Sequence, residues 1–307
     1  RKTPLNQEIV VAFFVTLNIR KRGGFNMDQY KFHEMTLIWL NGGYTQLDGG
    51  SMFGVVPKSL WSKRYPANEL NQIDLSTDPI LIKFEGKTFL IDTGVGNKMD
   101  ERQLRNNGVR TQSQLEDSLA LLGLLAEDID YVLMTHMHAD HASGLTKLEN
   151  EQYVSTFPNA KILLSTTEWN ELRQPNIRSR NTYWKENWEA IQSQVETFEN
   201  ELEVFPGIRM IHTGGHSDGH SIIKLEQNGE TIIHMGDIMP THAHQNPLWV
   251  LAYDDYPMTS VFAKEKIMPE ALANGYSFIF YHDAFFRLIK WNETGKEIVN
   301  KIERSRN

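Results

Sequence analysis

Apolar runs along the chain predict a β-rich protein with strands in both halves. In the first half, short apolar runs bounded by polar residues or glycine predict strands at 35–40, 78–86, 87–92, 130–134 and 159–165. In the second half, similar runs predict strands at 207–213, 221–225, 231–234 and 276–281. The turn at 85–86 contains a glycine and predicts a hairpin between the two strands that flank it.

Helical spacing is clearest over 181–199, where five apolar residues fall on a single helix face. They are spaced 4, 3, 4 and 3 along the chain: Trp184, Trp188, Ile191, Val195 and Phe198. Such a helix would either dock on the core or cover a substrate pocket with its tryptophans. Further helices are predicted at 112–124, from Thr166 or Thr167 onwards, at 257–273 and at 293–306. Two packed sheets with helices outside them would form a single α+β domain.

The composition is typical of a soluble globular enzyme. The 307 residues are 40% hydrophobic and 23% charged, with a formal net charge of −8. An acidic chain lacks the basic surface that nucleic-acid binding requires, so no nucleic-acid partner is expected. Cysteine is absent, which excludes disulfides and thiolate ligands to zinc.

The first 26 residues differ from the rest of the chain. Residues 9–17 are apolar, but this run is shorter than the ~20 residues that a membrane-spanning helix needs. No small-residue cleavage site follows it. Residues 1–26 are therefore expected to be a non-native or disordered extension, an extra edge strand or a degenerate targeting segment, with residues 27–307 as the folded domain. No other stretch approaches membrane-spanning length, so a cytoplasmic location is expected and secretion is left open.

Four side chains that can bind metal fall within 136–141: His136, His138, Asp140 and His141. The apolar run before them predicts a strand, and on its extended exit His136 and His138 point the same way because side chains alternate. Asp140 and His141 then approach the same point from the following turn. A strand that presents imidazoles and a carboxylate at its end is typical of a zinc site.

Three further candidate ligands lie later in the chain. His216 and Asp237 follow glycine turns, and His282 follows the apolar run at 276–281. Each is therefore placed where a strand ends and a loop can present a ligand. Because the candidates are drawn from 136 to 282, they favour one domain rather than two.

This order of motifs, H-x-H-x-D-H, then G-G-H, then G-D, then a late histidine, resembles the metallo-β-lactamase superfamily. The turn at 90–94, Leu-Ile-Asp-Thr-Gly, resembles the turn that supports the metal site of that family. The strings at 39–43, 52–57 and 241–249 are similar to YtnP-type quorum-quenching lactonases, which are similar to N-acyl-homoserine lactone hydrolases. The resemblance implies a four-layer αββα sandwich with two metal ions at one edge.

The resemblance also implies how the ligands divide between the two ions. The first ion would be held by His136, His138 and His216, and the second by Asp140, His141 and His282. The bridging ligand between the two ions would be Asp237. Two zinc ions per chain are expected, although manganese, cobalt or iron also suit such ligands. A histidine at 138, in place of the glutamate of the superfamily's redox branch, favours hydrolysis.

The implied activity is the opening of a lactone ring by hydroxide, because a metal pair lowers the pKa of water towards about 7. Asp140 is the expected proton shuttle, since ligation keeps it ionised and oriented. The expected substrates are N-acyl-homoserine lactones or related signal lactones, which implies quorum quenching. Carboxylester, β-lactam and organophosphate hydrolysis stay open as alternatives, and so does metal binding without turnover.

One position departs from the homoserine-lactone hydrolases, which place a tyrosine three residues after the bridging aspartate. Here that position is Pro240. Because one hydrogen-bond donor to a developing oxyanion is worth about 10²–10³ in rate, a substitute is expected. The candidates are His242, His244, Tyr253 or the metal ions alone.

The substrate pocket is predicted from residues in loops and from the helix at 181–199. Its candidate residues are Met52, Phe53, Trp184, Trp188, His242 and Phe285. Asp92 is expected to orient a metal-bound histidine, and His220 to support the ligands without binding metal. A small-molecule lactone is the expected partner, and a homodimer is a possible assembly.

Overall fold

The computed structural model describes residues 27–305, so the predicted extension at 1–26 lies outside the described residues. The strands are β1 (Gln29–Phe32), β2 (Met35–Trp39), β3 (Tyr44–Asp48), β4 (Gln72–Ser76), β5 (Ile80–Phe84), β6 (Lys87–Ile91), β7 (Val109–Thr111), β8 (Tyr131–Leu133), β9 (Thr146–Glu149), β10 (Gln152–Ser155), β11 (Lys161–Ser165), β12 (Val195–Phe198), β13 (Glu201–Phe205), β14 (Ile208–His212), β15 (Ser221–Gln227), β16 (Glu230–His234), β17 (Ser277–Ile279), β18 (Phe286–Trp291) and β19 (Ile298–Glu303). The helices are α1 (Gly49–Phe53), α2 (Lys58–Trp61), α3 (Glu101–Asn106), α4 (Leu115–Leu121), α5 (Ala139–Ala142), α6 (Thr166–Arg173) and α7 (Pro257–Ala273). No helix within residues 27–305 has the length and apolar content that crossing a membrane requires.

Two seven-stranded sheets form the framework of the protein. The first has the strand order β1-β2-β5-β6-β8-β11-β12, and the second runs from β13 to β19 in sequence order. In the first sheet β6, β8, β11 and β12 are parallel neighbours, and in the second β16 and β17 are parallel. Parallel strands end at the same edge of a sheet, so the residues that follow them lie near one another.

The sheets pack face to face because their central strands are apolar on both sides. Along β5, Ile80 and Ile82 point into the core between the sheets, where they join Met210 of β14. Leu81 points the other way, into the cluster formed with α4 and α6. On the far side of the second sheet, Met268 of α7 belongs to a third cluster. The layers are helix, sheet, sheet and helix, so the predicted four-layer sandwich in a single α+β domain is confirmed.

A smaller sheet with the order β4-β3-β7 lies beside the framework and is absent from the sequence prediction. In β3 the buried position is a threonine, Thr45, between the half-buried Tyr44 and Gln46. A strand of this kind contains no apolar run and little apolar alternation. Hydrophobic periodicity therefore does not predict this strand.

The predicted helix at 181–199 is wrong. The structure has three short 3₁₀ segments, Ser179–Asn181, Lys185–Asn187 and Glu189–Gln194, followed by β12. β12 pairs with β11 at the edge of the first sheet, and its residues Val195 and Phe198 join clusters on opposite faces of that sheet. The last two positions of the apolar spacing thus reflect burial on both faces of a strand, and the first three lie in or beside the 3₁₀ segments.

The predicted helix at 293–306 is also wrong, because Ile298–Glu303 forms β19, antiparallel to β18 at the edge of the second sheet. Gly295 lies in the turn before it with φ at 69°, a backbone conformation that glycine adopts readily. The charged residues of β19 suit an exposed edge strand, although the same residues also suit a polar helix. In contrast, the helix predicted at 257–273 is confirmed, since α7 spans Pro257–Ala273.

Candidate metal centre

Three strand ends bring candidate ligands to one edge of the sandwich. β8 leads to His136, β16 leads to Asp237 and β17 leads to His282. Because β16 and β17 are parallel, Asp237 and His282 leave the second sheet at the same edge. His216 lies in the connection between β14 and β15.

The segment after β8 has the form that its spacing predicts. His138 has an extended backbone, with φ −62° and ψ 156°, and α5 begins directly after it. His136 and His138 therefore lie on the extended part, and Asp140 and His141 lie on α5. The change from strand exit to helix lets four side chains approach one volume from two directions.

The predicted ligands form two groups of nitrogen and oxygen atoms that share no residue, and a third group of His136, His141 and Asp237 joins them. Within each group the ligand atoms lie within 4.8 Å of one another, and the groups are His136, His138 and His216, and Asp140, His141 and His282. In the first group, His138 Nδ1 lies 2.9 Å from His216 Nε2. In the second, His141 Nε2 lies 3.0 Å from His282 Nε2.

The carboxylate of Asp237 lies between the two groups. Its Oδ1 is 3.3 Å from His282 Nε2 and 3.4 Å from His141 Nε2, both in the second group. Its Oδ2 is 3.5 Å from His216 Nε2 in the first group. The two oxygens therefore face different groups, as a bridging ligand requires.

In the second group, hydrogen bonds to the Nδ1 atoms of the histidine rings determine whether the Nε2 atoms carry a proton or a lone pair. His141 Nδ1 lies 2.8 Å from Asp92 Oδ2, and His282 Nδ1 lies 2.8 Å from Ser76 O. Both partners are acceptors, so both Nδ1 atoms donate and each neutral ring presents a lone pair at Nε2. Two lone pairs 3.0 Å apart need a proton or a cation between them.

The donor set fits metal ions. His136 Nε2 and Asp237 Oδ1 are buried and have no hydrogen-bond partner among residues 27–305. A buried polar group without a partner costs about 1–3 kcal/mol, and a cation would offset this cost. Nitrogen and carboxylate donors suit zinc, and they also accept manganese, cobalt or iron.

The first group is oriented in the same way. His216 Nδ1 lies 2.8 Å from Asp254 Oδ1. His136 Nδ1 lies 3.0 Å from Thr135 Oγ1, which itself donates to Asp92 Oδ2 at 2.8 Å. Partners of this kind fix which ring nitrogen faces the metal.

The charges of the site favour cation binding. Burial lowers the pKa of His136 and of His138 well below 6.5, so both rings stay neutral and can act as ligands. Burial also opposes the charged form of His141, but the carboxylates of Asp237 and Asp140 raise its pKa well above 6.5. A buried cluster that stabilises a proton in this way also stabilises a metal cation.

Asp92 and His220, the two predicted supporting residues, form hydrogen bonds with the candidate ligands or their neighbours. Asp92 accepts hydrogen bonds from His141 and from the backbone N–H of Thr135, the latter at 2.8 Å. His220 Nε2 accepts from the backbone N–H of Asp237 at 3.0 Å. A Cβ atom on Gly236 would lie 2.4 Å from that His220 nitrogen, so the close approach requires glycine here.

A cavity of about 450 Å³ opens onto the two groups, and its apolar wall consists of Leu47, Met52 and Leu75. Met52 thus lies where the pocket prediction places it. Phe53 does not, because it is fully buried between two rings, Trp61 at 4.8 Å and His244 at 4.5 Å between centroids. Adjacent residues of a short helix point in different directions, and only Met52 points towards the cavity.

The other four pocket candidates also lie elsewhere, which corrects the prediction. Trp184 packs against the cluster that contains Val95, and Trp188 packs against Trp169 at 5.8 Å between ring centroids. These positions follow from the absence of a helix at 181–199. His242 and Phe285 line a separate cavity of about 1340 Å³, together with Tyr44 and Asp74 on the other side of β3 and β4.

Tyr253 is the candidate oxyanion donor that lines the metal-facing cavity. Its hydroxyl lies 2.5 Å from Met52 Sδ, a weak acceptor. Burial, together with the charges of Asp237 and Asp140, raises its pKa well above 10. His244 is held in the core between Thr241 Oγ1 at 2.8 Å and Met52 O at 2.7 Å, and His242 faces the other cavity.

Several residues that form hydrogen bonds with the candidate ligands are not predicted from the sequence. Asp254 and Ser76 hold the far sides of two histidine rings, as described above. Tyr281 donates to the backbone O of Asp140 at 2.7 Å and accepts from the N–H of Gly94 at 2.9 Å. Such partners have no fixed spacing from the ligands in the sequence. The one feature of the sequence that could have indicated such a partner is the aspartate pair at 254–255, which follows a tyrosine.

Comparison with known proteins assigns the family. The profile described as "Metallo-beta-lactamase superfamily" matches residues 73–268, which is more than half of the chain. An N-acyl homoserine lactonase of Bacillus thuringiensis is 28% identical over 171 residues, which cover 50% of this chain and 60% of that protein. This chain therefore spans less than two thirds of the length of the curated relatives that it matches.

Solved structures agree with this result. A probable metal-dependent hydrolase from Staphylococcus aureus is 48% identical, with a TM-score of 0.87 over 90% of this chain and 99% of that one. AidC, a dizinc quorum-quenching lactonase, has a TM-score of 0.74 over 92% of this chain and 98% of that one. At 18% identity, AidC is evidence for the fold alone.

The chain belongs to the metallo-β-lactamase superfamily. The predictions of this family and of its sandwich fold are therefore confirmed, and hydrolase activity stays a prediction. The identity of the metal ions, the lactone substrate, the homodimer and the cytoplasmic location stay predictions.

Proposed function

We propose that this protein is a metal-dependent hydrolase that opens the lactone ring of N-acyl-homoserine lactones or of related signal lactones. The observation that carries the proposal is the carboxylate of Asp237, whose two oxygens face separate ligand groups at the floor of a cavity of about 450 Å³. The curated relatives, which are N-acyl homoserine lactonases, support the substrate class.

The two ligand groups and Asp237 would hold two zinc ions. When bound, such a pair supplies hydroxide at neutral pH and polarises an ester carbonyl, which are the two requirements of lactone hydrolysis. The protein supplies the orientation of the ligands through Asp92, Ser76 and Asp254. Removing partners of this kind typically costs 10–100-fold in metal affinity or activity.

Asp140 is the proposed proton carrier. Its Oδ2 lies 3.5 Å from His282 Nε2, and its side chain is 31% exposed, on the cavity side. The hydrogen bond from Tyr281 to its backbone O holds the residue in place. Asp140 can therefore accept a proton from the attacking water and return it to the ring oxygen when the ester bond breaks.

Tyr253 is the proposed substitute for the tyrosine that Pro240 replaces. Tyr253 lines the cavity, and its ring centroid lies 6.1 Å from that of His216. The Met52 thioether that it contacts is a weak acceptor, so the hydroxyl can turn to a substrate oxygen at little cost. A donor held beside the reacting carbonyl stabilises the negative charge that develops there.

The walls of the cavity suit an acylated lactone. Leu47, Met52 and Leu75 offer apolar surface for an acyl chain, whereas Asn106, Ser179 and Thr182 offer polar groups for an amide. This combination supports a substrate with an apolar tail and a polar link next to the ring.

A substrate panel tests the proposal. The protein is incubated with N-acyl-homoserine lactones of several chain lengths, and acid release is followed in a pH-stat. Nitrocefin, a p-nitrophenyl ester and an organophosphate are assayed beside them. We expect the highest kcat/KM with a lactone, loss of activity with a chelator and its return with zinc. Turnover of nitrocefin, the ester or the organophosphate with none of the lactones would contradict the proposal.

A further inference from the structure

Glu168 is a fully buried carboxylate on α6. No lysine or arginine of residues 27–305 pairs with it within 4.0 Å. A buried carboxylate without a cation is costly unless hydrogen bonds compensate it. Its role therefore follows from the groups that donate to it.

The donors to Glu168 come from both histidine-bearing segments of the first ligand group. Its Oε1 accepts from the backbone N–H of Met137 at 2.7 Å, between His136 and His138. Its Oε2 accepts from Ser217 Oγ at 2.6 Å, directly after His216. One carboxylate thus joins the two segments that carry the three histidines.

A third donor extends the same contact. The hydroxyl of Tyr183 lies 3.0 Å from Glu168 Oε1, and the ring of Tyr183 packs on His138 at 5.4 Å between centroids. The carboxylate therefore also fixes a ring that packs against His138. With three donors, both of its oxygens are occupied.

The start of α6 is built to receive the segment that follows His216. Ser165 accepts from the N–H of Glu168 at 3.0 Å and donates to the backbone O of Gly219 at 2.6 Å. A Cβ atom on Gly219 would lie 2.0 Å from the backbone N of Glu168, so the two backbones meet in a way that only glycine permits. Glu171 accepts from the N–H of Asp218 at 2.9 Å in the next turn.

The second ligand group depends on other partners. His141 is held by Asp92, His282 by Ser76 O and the backbone of Asp140 by Tyr281. None of these contacts involves Glu168. Removing its carboxylate should therefore disturb one ligand group and leave the other in place.

We propose that Glu168 is a positioning residue that joins the two segments of the first ligand group and so controls the affinity of that site selectively. This inference rests on the proposed dinuclear centre. It adds that the first site has a support that the second does not share, although Asp92, through Thr135, and Asp237 contact both groups, so the first site can be weakened selectively.

The test is a zinc titration of metal-free protein against a chromophoric chelator, with wild type, Glu168→Gln and Glu168→Ala. Glu199→Gln, which changes an exposed glutamate, is the matched control. We expect wild type and the control to bind two equivalents. In Glu168→Ala one equivalent should keep its affinity while the other binds about 100-fold more weakly. In Glu168→Gln, whose amide oxygen can still accept from Met137, the loss should be about tenfold.

Cobalt substitution provides a second readout, because the visible spectrum of each bound equivalent reports its ligands. Circular dichroism and thermal unfolding establish that the variants fold, and Glu168→Gln keeps the test available if the alanine variant does not. Unchanged affinity of both equivalents in the variants, or equal weakening of both, would overturn the role of Glu168. Fewer than two equivalents in wild type would instead overturn the dinuclear centre and this inference with it.

Discussion

Asp237 is the residue at which the two ligand groups meet, since its two oxygens face different groups. Replacing it with alanine should remove the link and leave each group one donor short. For Asp237→Ala we expect fewer than two bound metal ions per chain and a fall in kcat of at least about 10²-fold. Metal analysis and lactone hydrolysis measured on the same sample check both numbers.

The control for this variant is Asp117→Asn, which changes an exposed aspartate on α4. It should retain both ions and full activity. If Asp237→Ala kept its metal content while losing activity, the bridging role would be wrong and Asp237 would act on the substrate instead.

Tyr253 leads to a second prediction about a single residue. Tyr253 lines the cavity, and within residues 27–305 its hydroxyl has Met52 Sδ, a weak acceptor, as its hydrogen-bond partner. Tyr253→Phe should lower kcat by about 10²-fold, the lower end of the range for one oxyanion donor, with little change in KM. Metal content should not change, because the hydroxyl is not among the ligand groups.

The matched control is Tyr153→Phe on β10, where the ring is 45% exposed. Steady-state kinetics should not distinguish it from wild type. An unchanged kcat in Tyr253→Phe would leave stabilisation of the oxyanion to the metal ions alone.

For single residues, the sequence predicts the candidate metal ligands better than it predicts the residues that surround them. The seven candidate ligands are recognisable because H-x-H-x-D-H and the later residues at strand ends repeat a known order. Asp254 and Glu168 are not recognisable, because a hydrogen-bond partner can come from any element that folds against the ring or the backbone. Phe53 and Trp188 fail as pocket residues because apolar side chains look alike in sequence whether they face the core or a cavity.

Among the elements, α7 contains an unusual buried group. Lys264 is fully buried, and its Nζ donates to Trp249 O at 2.8 Å. Desolvation lowers the pKa of Lys264 to about 7 from its ordinary value of 10.5. Between these two values the unfolded chain binds the proton and the folded chain does not, so this lysine makes the free energy of unfolding rise with pH.

This gives a prediction for Lys264→Met, which has no group to titrate. The free energy of unfolding of wild type minus that of the variant should rise between pH 7 and pH 9 by about 1.4 kcal/mol per pH unit. Urea unfolding at fixed metal content measures it. Lys266→Met, at an exposed position of the same helix, should keep the wild-type slope. A pH-independent difference between wild type and Lys264→Met would show that Lys264 stays charged in the folded protein.

Hydrophobic periodicity is sufficient to predict some of the helices and strands but not others. α7 is predicted to the residue because it is long, begins with Pro257 and packs one face on the second sheet. β12 and β19 are mistaken for helices because the sequence of an edge strand does not reveal which neighbour completes its hydrogen bonding. Val195 and Phe198 illustrate the ambiguity, since a spacing of three places residues together on a helix and on opposite faces of a strand.

In the whole molecule, two pairs of parallel strands explain how distant ligands meet. β6 and β8 end together and present Asp92 and His136, while β16 and β17 end together and present Asp237 and His282. Packing the two sheets face to face brings both sets to one edge. The sequence predicts the strand ends, but the strand order that makes them neighbours comes from pairing between distant segments, which periodicity does not contain.

We propose that turnover requires two metal ions held by these seven side chains. The most direct test is to add zinc stepwise to metal-free protein while measuring binding and N-acyl-homoserine lactone hydrolysis in the same sample. We predict no hydrolysis without metal and a rise that reaches its maximum at the second bound equivalent. Full activity in metal-free protein, or saturation of binding below two equivalents, would contradict the account.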